Sequence, residues 1–303
     1  MYSLDDELDF NFDDYSLDEL KELDYDSEEY FLSDPDFSDL NFDDYSVEEA
    51  DIILDVPYVP TDLDIVRAML EMGEVTSDDV LYDLGCGDGR IVVAAALERN
   101  TRGFGIDMDP MRIAEAMEYA GNSGVEFLVD FIEDDLLEAD FSDATVVTLY
   151  LLDLVNVELR PRLLDELRPG TRIISHAFDM GDWTPDERKR HGSTHLYKWI
   201  VPAKVAGLWE WQTRSGETYR AELQQKYQEV TGKVWIDGKP AQLTRAFLKG
   251  DLLGLIIQSS DPDSRPVSFV MRHDGQQLVA ADGDRQATAA IKLGVSAGQE
   301  KAP

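Results

Sequence analysis

LYDLGCGDGR, Leu81 to Arg90, is the stretch that decides the fold. Residues 80–84 form a short apolar run of the kind that makes a buried strand, and 91–97 continue as a packed helix. Between them, Gly85, Gly87 and Gly89 let the chain turn tightly and bring bare backbone against a ligand. The helix that follows points its first amides at the same place. A strand, a glycine turn and a helix in that order open an α/β ligand-binding fold. Two details separate this turn from a dinucleotide site. The spacing is G-x-G-x-G, where a dinucleotide fingerprint runs G-x-G-x-x-G. Asp83 also precedes the turn. A carboxylate there repels a pyrophosphate but attracts a cationic ligand.

Further acids follow at strand ends. GFGIDMDP closes a strand over 102–107, so Asp107, with Met108 beside it, sits where a carboxylate can accept from two ribose hydroxyls. A third strand, expected over 125–131, is followed by Asp134, Asp135 and Leu136, where a carboxylate can accept from an adenine amino group. Acids after three consecutive strands, with one set to meet an amino and a sulfonium group, fit S-adenosyl-L-methionine as the cofactor. Cys86, inside the glycine turn, reads as a small residue there and not as a nucleophile.

Outward from this centre, strands and helices alternate. A helix capped by Thr61 or Asp62 runs to about 72, and Pro110 can begin another over 110–120. Strands are expected over 145–152, 172–178 and 195–201, with a helix over 161–167 stopped by Pro169 and Gly170. Such alternation predicts a parallel sheet with helices on both faces.

DLGCGDGR, GIDMDP and the acid after the third strand resemble the motifs of class I S-adenosylmethionine-dependent methyltransferases. DVPYVPT at 55–61, TLYLLDLVN at 148–156 and PGTRIISHAFDMGDW at 169–183 resemble, more closely, bacterial relatives of the mitochondrial ATP-synthase c-subunit lysine methyltransferases. The resemblance covers about 55–203. It implies a Rossmann-like, doubly wound, mostly parallel seven-stranded sheet, and a cofactor edge covered by Tyr58, Pro60 and Thr61. It departs from the pattern at Asp153, where proline is usual, and at Asp134, where glycine is usual.

The resemblance also implies where the methyl acceptor sits: at the ends of the fourth and fifth strands. Tyr150 could face an ammonium or sulfonium through its ring, and an ordinary packed strand aromatic is the equal alternative. His176 could take a proton from the acceptor, against the commoner role of a structural histidine. Trp183 either closes the acceptor side or caps the core. The acceptor is expected to be a protein lysine, with a small molecule as the alternative. A cofactor-binding module without turnover is the contrasting reading.

The flanks differ from this centre. After about 203, short alternating runs punctuated by Ser215-Gly216, Asp237-Gly238, Lys249-Gly250 and Asp274-Gly275 predict an antiparallel β domain over 204–303 with a loose end. Residues 1–54 form an acidic extension whose single basic residue is Lys21, and NFDDYS occurs in it at 11–16 and again at 41–46. Ser16 and Ser46 could each cap a short helix, but the composition favours a solvated, largely disordered arm. The arm carries more than half of the net charge of −36. That charge argues against nucleic acid and for a partner with a basic surface, or for a salt-rich cytoplasm.

The lone Cys86 excludes an internal disulfide, and the histidines and cysteine lack metal-ligand spacing, so no metal is expected. Neither a membrane span nor a signal peptide is expected, which points to the cytoplasm. Oligomeric state is open. Deleting residues 1–54 is expected to leave S-adenosylhomocysteine affinity unchanged by calorimetry at every salt concentration.

Overall fold

The computed structural model describes residues 58–261, 264–281 and 288–293. The acidic arm, its repeat and its expected capped helices lie outside the described residues. The described chain builds two sheets. The first has the order β3-β2-β1-β4-β5-β7-β6. Its centre is β1 (Val80–Leu84), paired in parallel with β2 (Arg102–Asp107) and β4 (Val146–Leu149). Outside them lie β3 (Val129–Glu133) and β5 (Arg172–His176), also parallel. The last two strands, β6 (Glu187–His191) and β7 (Thr194–Ile200), run antiparallel to their neighbours. The sheet is mostly parallel and seven-stranded, as expected.

Each helix is placed by its own chemistry. In α1 (Leu63–Met72), Val66, Met69 and Leu70 share the buried face. In α2 (Arg90–Arg99), the residues Ile91 through Ala96 are all buried, which suits a helix enclosed on several sides. The third, α3 (Pro110–Asn122), begins with Pro110 after Asp109, whose side chain accepts from the Met111 amide.

Several elements differ from the sequence reading. The third strand begins at Val129, because 125–128 form a turn that plugs Val125 beneath the end of α3. The fourth strand ends at Leu149, and α4 (Asp153–Glu166) starts at once, enclosing Pro161. A proline inside a helix costs roughly 3 kcal/mol. Burial of Leu159 and Leu163, each worth roughly 1.5–3 kcal/mol, offsets it. The fifth strand ends at His176, where Ala177 takes a φ of 67°. Finally, β6 (ERKRH) has no apolar alternation to announce it, because it is an exposed edge strand.

The second sheet is antiparallel throughout, in the order β14-β13-β12-β11-β10-β9-β8-β15. Its strands are β8 (Gly207–Gln212), β9 (Thr218–Lys226), β10 (Glu229–Ile236), β11 (Lys239–Lys249), β12 (Leu252–Gln258), β13 (Val267–His273), β14 (Leu278–Ala280) and β15 (Ile291–Leu293). A bridge between Leu278 and Ala290 joins the two outer strands, so the sheet closes on itself. The sheet reaches Leu293, and the expected loose end beyond it lies outside the described residues. Alternate residues fill the interior, among them Trp209 and Trp211, Leu253 and Leu255, and Phe269 and Met271. Phe269 meets Trp211 and Tyr219 edge-on, at centroid distances of 5.3 and 4.8 Å.

Among the described residues no helix is long and apolar enough to cross a membrane. Phe269→Ala should destabilise the chain by about 3–5 kcal/mol, read as a lower urea midpoint.

Candidate active site

A cavity of about 310 Å³ opens at the carboxyl ends of the central strands. Its walls come from the segment before α1, the glycine turn after β1, the loops after β2 and β3, and the turn from β4 into α4. Asp83 lies at its floor. Its carboxylate is 2 % exposed and accepts a 2.7 Å hydrogen bond from the Thr148 hydroxyl. Among the described residues it forms no ion pair. Burial, helped by Asp107 and Asp88, pushes its pKa up to about 7 against the opposing pull of Thr148. A buried carboxylate left without a cation is poised to receive one.

The glycine turn is held by the next acid along. One Asp107 oxygen accepts from the Gly87 amide at 2.8 Å, and the other from the Asp109 amide at 3.0 Å. An ionised carboxylate has about four acceptor positions, so both oxygens keep capacity for a ligand. Gly87 has a φ of 52°, and a Cβ there would lie 2.5 Å from the Tyr58 ring. The tyrosine thus packs on bare backbone. Its opposite contact is the Arg112 guanidinium, 4.1 Å from the ring centroid. Arg90 binds Asp88 and donates to the Thr61 carbonyl at 2.9 Å, which ties the segment 58–61 to the turn. The Cys86 thiol is pushed far up by burial and by Asp83 and Asp107, and it stays protonated.

Of the residues singled out from the sequence, Tyr58, Pro60, Thr61, Asp83, Gly85, Cys86, Gly87, Asp107, Met108, Asp135, Leu136 and Tyr150 line this cavity. Three do not. Gly89 is the left-handed N-cap of α2, packed against Phe131 and Ala116. Asp134 is exposed and accepts from the Asp135 amide, leaving Asp135 as the acid after β3 that faces the cavity. His176 stands one layer back. Its ring stacks on Tyr150 at 3.9 Å between centroids, and its Nδ1 lies 3.4 Å from the Thr61 hydroxyl. Burial pulls its pKa down, so the imidazole is neutral. It backs Tyr150 and is not part of the cavity wall.

Asp153 likewise lies outside the cavity wall. It is the first residue of α4, where an acid suits the helix dipole much as proline suits the backbone. Its carboxylate accepts from the Asp179 amide at 3.1 Å. Trp183 is fully buried in the core and does not line the cavity.

Sequence reasoning named the end of the fourth strand but missed the wall beyond it, where Leu154, Val155 and Glu158 of α4 line the cavity beside Leu152. Their signal was the helical spacing of Asn156, Leu159 and Leu163, which runs through Pro161. The mouth carries exposed apolar side chains, with Leu154 82 %, Val59 53 % and Leu152 37 % exposed. Six carboxylates and two guanidinium groups line the cavity as a whole. The uncompensated Asp83, the glycine cradle and the acids after β2 and β3 fit S-adenosylmethionine, whose adenosyl hydroxyls need acceptors and whose other end is cationic.

Comparison with known proteins points to methyltransferases. A family model described as the ANTKMT methyltransferase domain matches residues 83–187. A protein-lysine N-methyltransferase of Saccharolobus islandicus is 46% identical over 133 residues, 44% of this chain and 83% of its own length. The lysine N-methyltransferase of Xenopus laevis that acts on the ATP synthase c-subunit is 31% identical over 51% of this chain and 69% of its own length. A crystal structure described as an RNA methyltransferase from Salinibacter ruber, in complex with S-adenosyl-L-homocysteine, is 50% identical. It covers 48% of this chain and 96% of that one, with a TM-score of 0.48.

The raised pKa of Asp83 has a defined sign. The folded chain holds this proton more tightly than the unfolded one. The group therefore costs the ligand-free fold stability as the pH rises from about 4 to about 7. A cationic ligand favours the ionised form, so binding must expel the proton below about pH 7. S-adenosylhomocysteine, which keeps the amino group, should bind more tightly as the pH rises to about 7 and level off above it. Calorimetry in buffers of different ionisation enthalpy should show proton release at about pH 6 and none at about pH 8. Asp83→Asn should abolish that release.

Proposed function

The chain belongs to the family of S-adenosylmethionine-dependent methyltransferases that includes these lysine N-methyltransferases, and we propose that its acceptor is a lysine side chain of a protein. S-adenosyl-L-methionine is the cofactor. When bound, it supplies a methyl group already activated on a positively charged sulfur. The protein's task is then to position the acceptor and exclude water.

The observation that carries the proposal is the mouth of the cavity. Exposed Leu154, Val59 and Leu152 ring an opening backed by carboxylates. Such an apolar rim suits a macromolecular surface better than a small molecule, which a site usually encloses. The acidic wall suits a cation. In this reading Asp83, Asp107 and Asp135 hold the cofactor, with Tyr58, Pro60 and Thr61 along its edge. Tyr150, at the end of β4, presents its ring to the lysine chain, and the neutral His176 fixes the plane of that ring. The lysine must shed its proton before it reacts, and the proton leaves through the open mouth, where Glu158 is exposed to water. A net charge of −36 favours a target with a basic surface.

Asp153 does not count against turnover, because its carboxylate is turned to the Asp179 amide. That weakens the alternative of a binding module without activity. The test uses purified full-length chain and methyl-labelled donor with three acceptors: lysate protein, total RNA from that lysate, and its small-molecule filtrate. Label should appear in protein and be recovered as methylated lysine after hydrolysis. Blocking lysate lysines by acetylation should remove it. Label confined to RNA or filtrate, or none at all, would overturn the proposal.

A further inference from the structure

The turn joining β9 to β10 meets the loop joining β5 to β6 residue for residue. Lys226 Nζ lies 2.9 Å from an Asp182 oxygen, and the Tyr227 hydroxyl donates to the other at 2.9 Å. The Tyr227 ring stacks on Trp183 at 5.7 Å between centroids. Gln228 accepts from the Trp183 indole at 2.9 Å and donates to the Thr184 carbonyl at 2.7 Å. Arg160, from α4, completes the clasp. It donates to the Met180 carbonyl and to Asp182, with its guanidinium 5.4 Å from the Tyr227 ring centroid. Lys226, Tyr227 and Arg160 together hold the Asp182 carboxyl down to about 2.

The clasped loop leads straight back to the acceptor side of the cavity. The Asp179 amide donates to Asp153 at the head of α4, and its carbonyl accepts from Asn156. Phe178 lies 6.2 Å from the ring of Tyr150. The loop includes two left-handed residues, Ala177 and Gly181, each at a φ of 67°. A segment of that shape needs holding from outside.

The hairpin tip shows what it is kept for. Pairing of Glu229 with Lys226 leaves a two-residue loop whose first member, Tyr227, has a φ of 54°. Glycine is the favoured residue at such a position. A tyrosine there costs backbone strain, and its return is the contact its side chain makes across the joint.

We propose that Tyr227 and Gln228 of the second sheet are positioning residues for methyl transfer, fixing the loop after β5 so that Phe178 and Asp179 stay set against Tyr150 and the head of α4. This rests on the acceptor site proposed above. The second sheet is then part of the catalytic apparatus without touching a substrate.

The test compares the full chain with Tyr227→Gly, Tyr227→Phe and Gln228→Ala. Tyr227→Gly removes the side chain and relieves the turn, so it separates positioning from hairpin stability. S-adenosylhomocysteine affinity should stay within about twofold, which also reports folding. Amide exchange at Asp179 and Gly181 should quicken. Transfer of label to lysate protein should fall about ten- to a hundredfold in Tyr227→Gly, the scale for a small misplacement. Tyr227→Phe, which keeps the ring, should retain more activity. Quicker exchange with unchanged transfer would reduce the clasp to packing and overturn the inference, as would no change in either. Leu154→Asp, at the mouth itself, tests the acceptor site separately. If it lowers transfer and Tyr227→Gly does not, this inference alone fails. If Leu154→Asp also leaves transfer unchanged, the acceptor site itself is misplaced.

Discussion

A carboxylate buried without a cation is the constraint around which the first sheet is arranged. Asp83 occupies the end of the central strand, where β2 and β4 pair on either side and shut out water. Thr148, its register partner on β4, donates one hydrogen bond, which offsets only part of the burial. An uncharged side chain of similar size would be cheaper for the fold alone. Its cost makes sense once a positively charged ligand is counted, because the same low-polarity surroundings then strengthen the attraction. The glycine turn lies within reach of that carboxylate, and the second acid, Asp107, stops the turn from wandering.

Several residues serve the site by holding other residues. Arg90 belongs to α2 yet fixes the carbonyl of Thr61, and Arg112 belongs to α3 yet supports Tyr58. His176 sets the plane of Tyr150. The geometry is therefore shared between segments far apart in sequence. Cutting any one of these ties would loosen the site before it emptied it of ligating groups.

The central motif was legible because its chemistry is local. Asp83, Gly85, Gly87 and Asp107 occupy fixed distances from strand ends, and short-range pattern reading finds such distances. The seventh strand position was harder. β6 carries Arg188, Lys189 and Arg190 with no apolar face, and only its pairing with β7 makes it a strand. The head of α4 was missed because proline is a local signal for a helix start, which put the beginning at Pro161, whereas the burial of Leu159 that carries the helix through it is a tertiary fact. His176 illustrates a third limit. Sequence placed it at the correct strand end, but which layer its ring occupies depends on Tyr150 standing in front of it. The clasp by Tyr227 and Gln228 had no sequence signal at all, since it joins two loops 45 residues apart at Trp183 and Gln228.

The closure of the second sheet by the Leu278–Ala290 bridge decides where this chain can be joined by another. A closed sheet offers no row of free backbone groups to a neighbouring molecule. The open borders of the first sheet are its outer strands, β3 and β6. Asp130 and Glu133 are exposed on one, and Glu187, Arg188, Lys189 and Arg190 on the other. Charges along an open border must be stripped of water before another strand can pair there, so these two described borders resist sheet-to-sheet pairing.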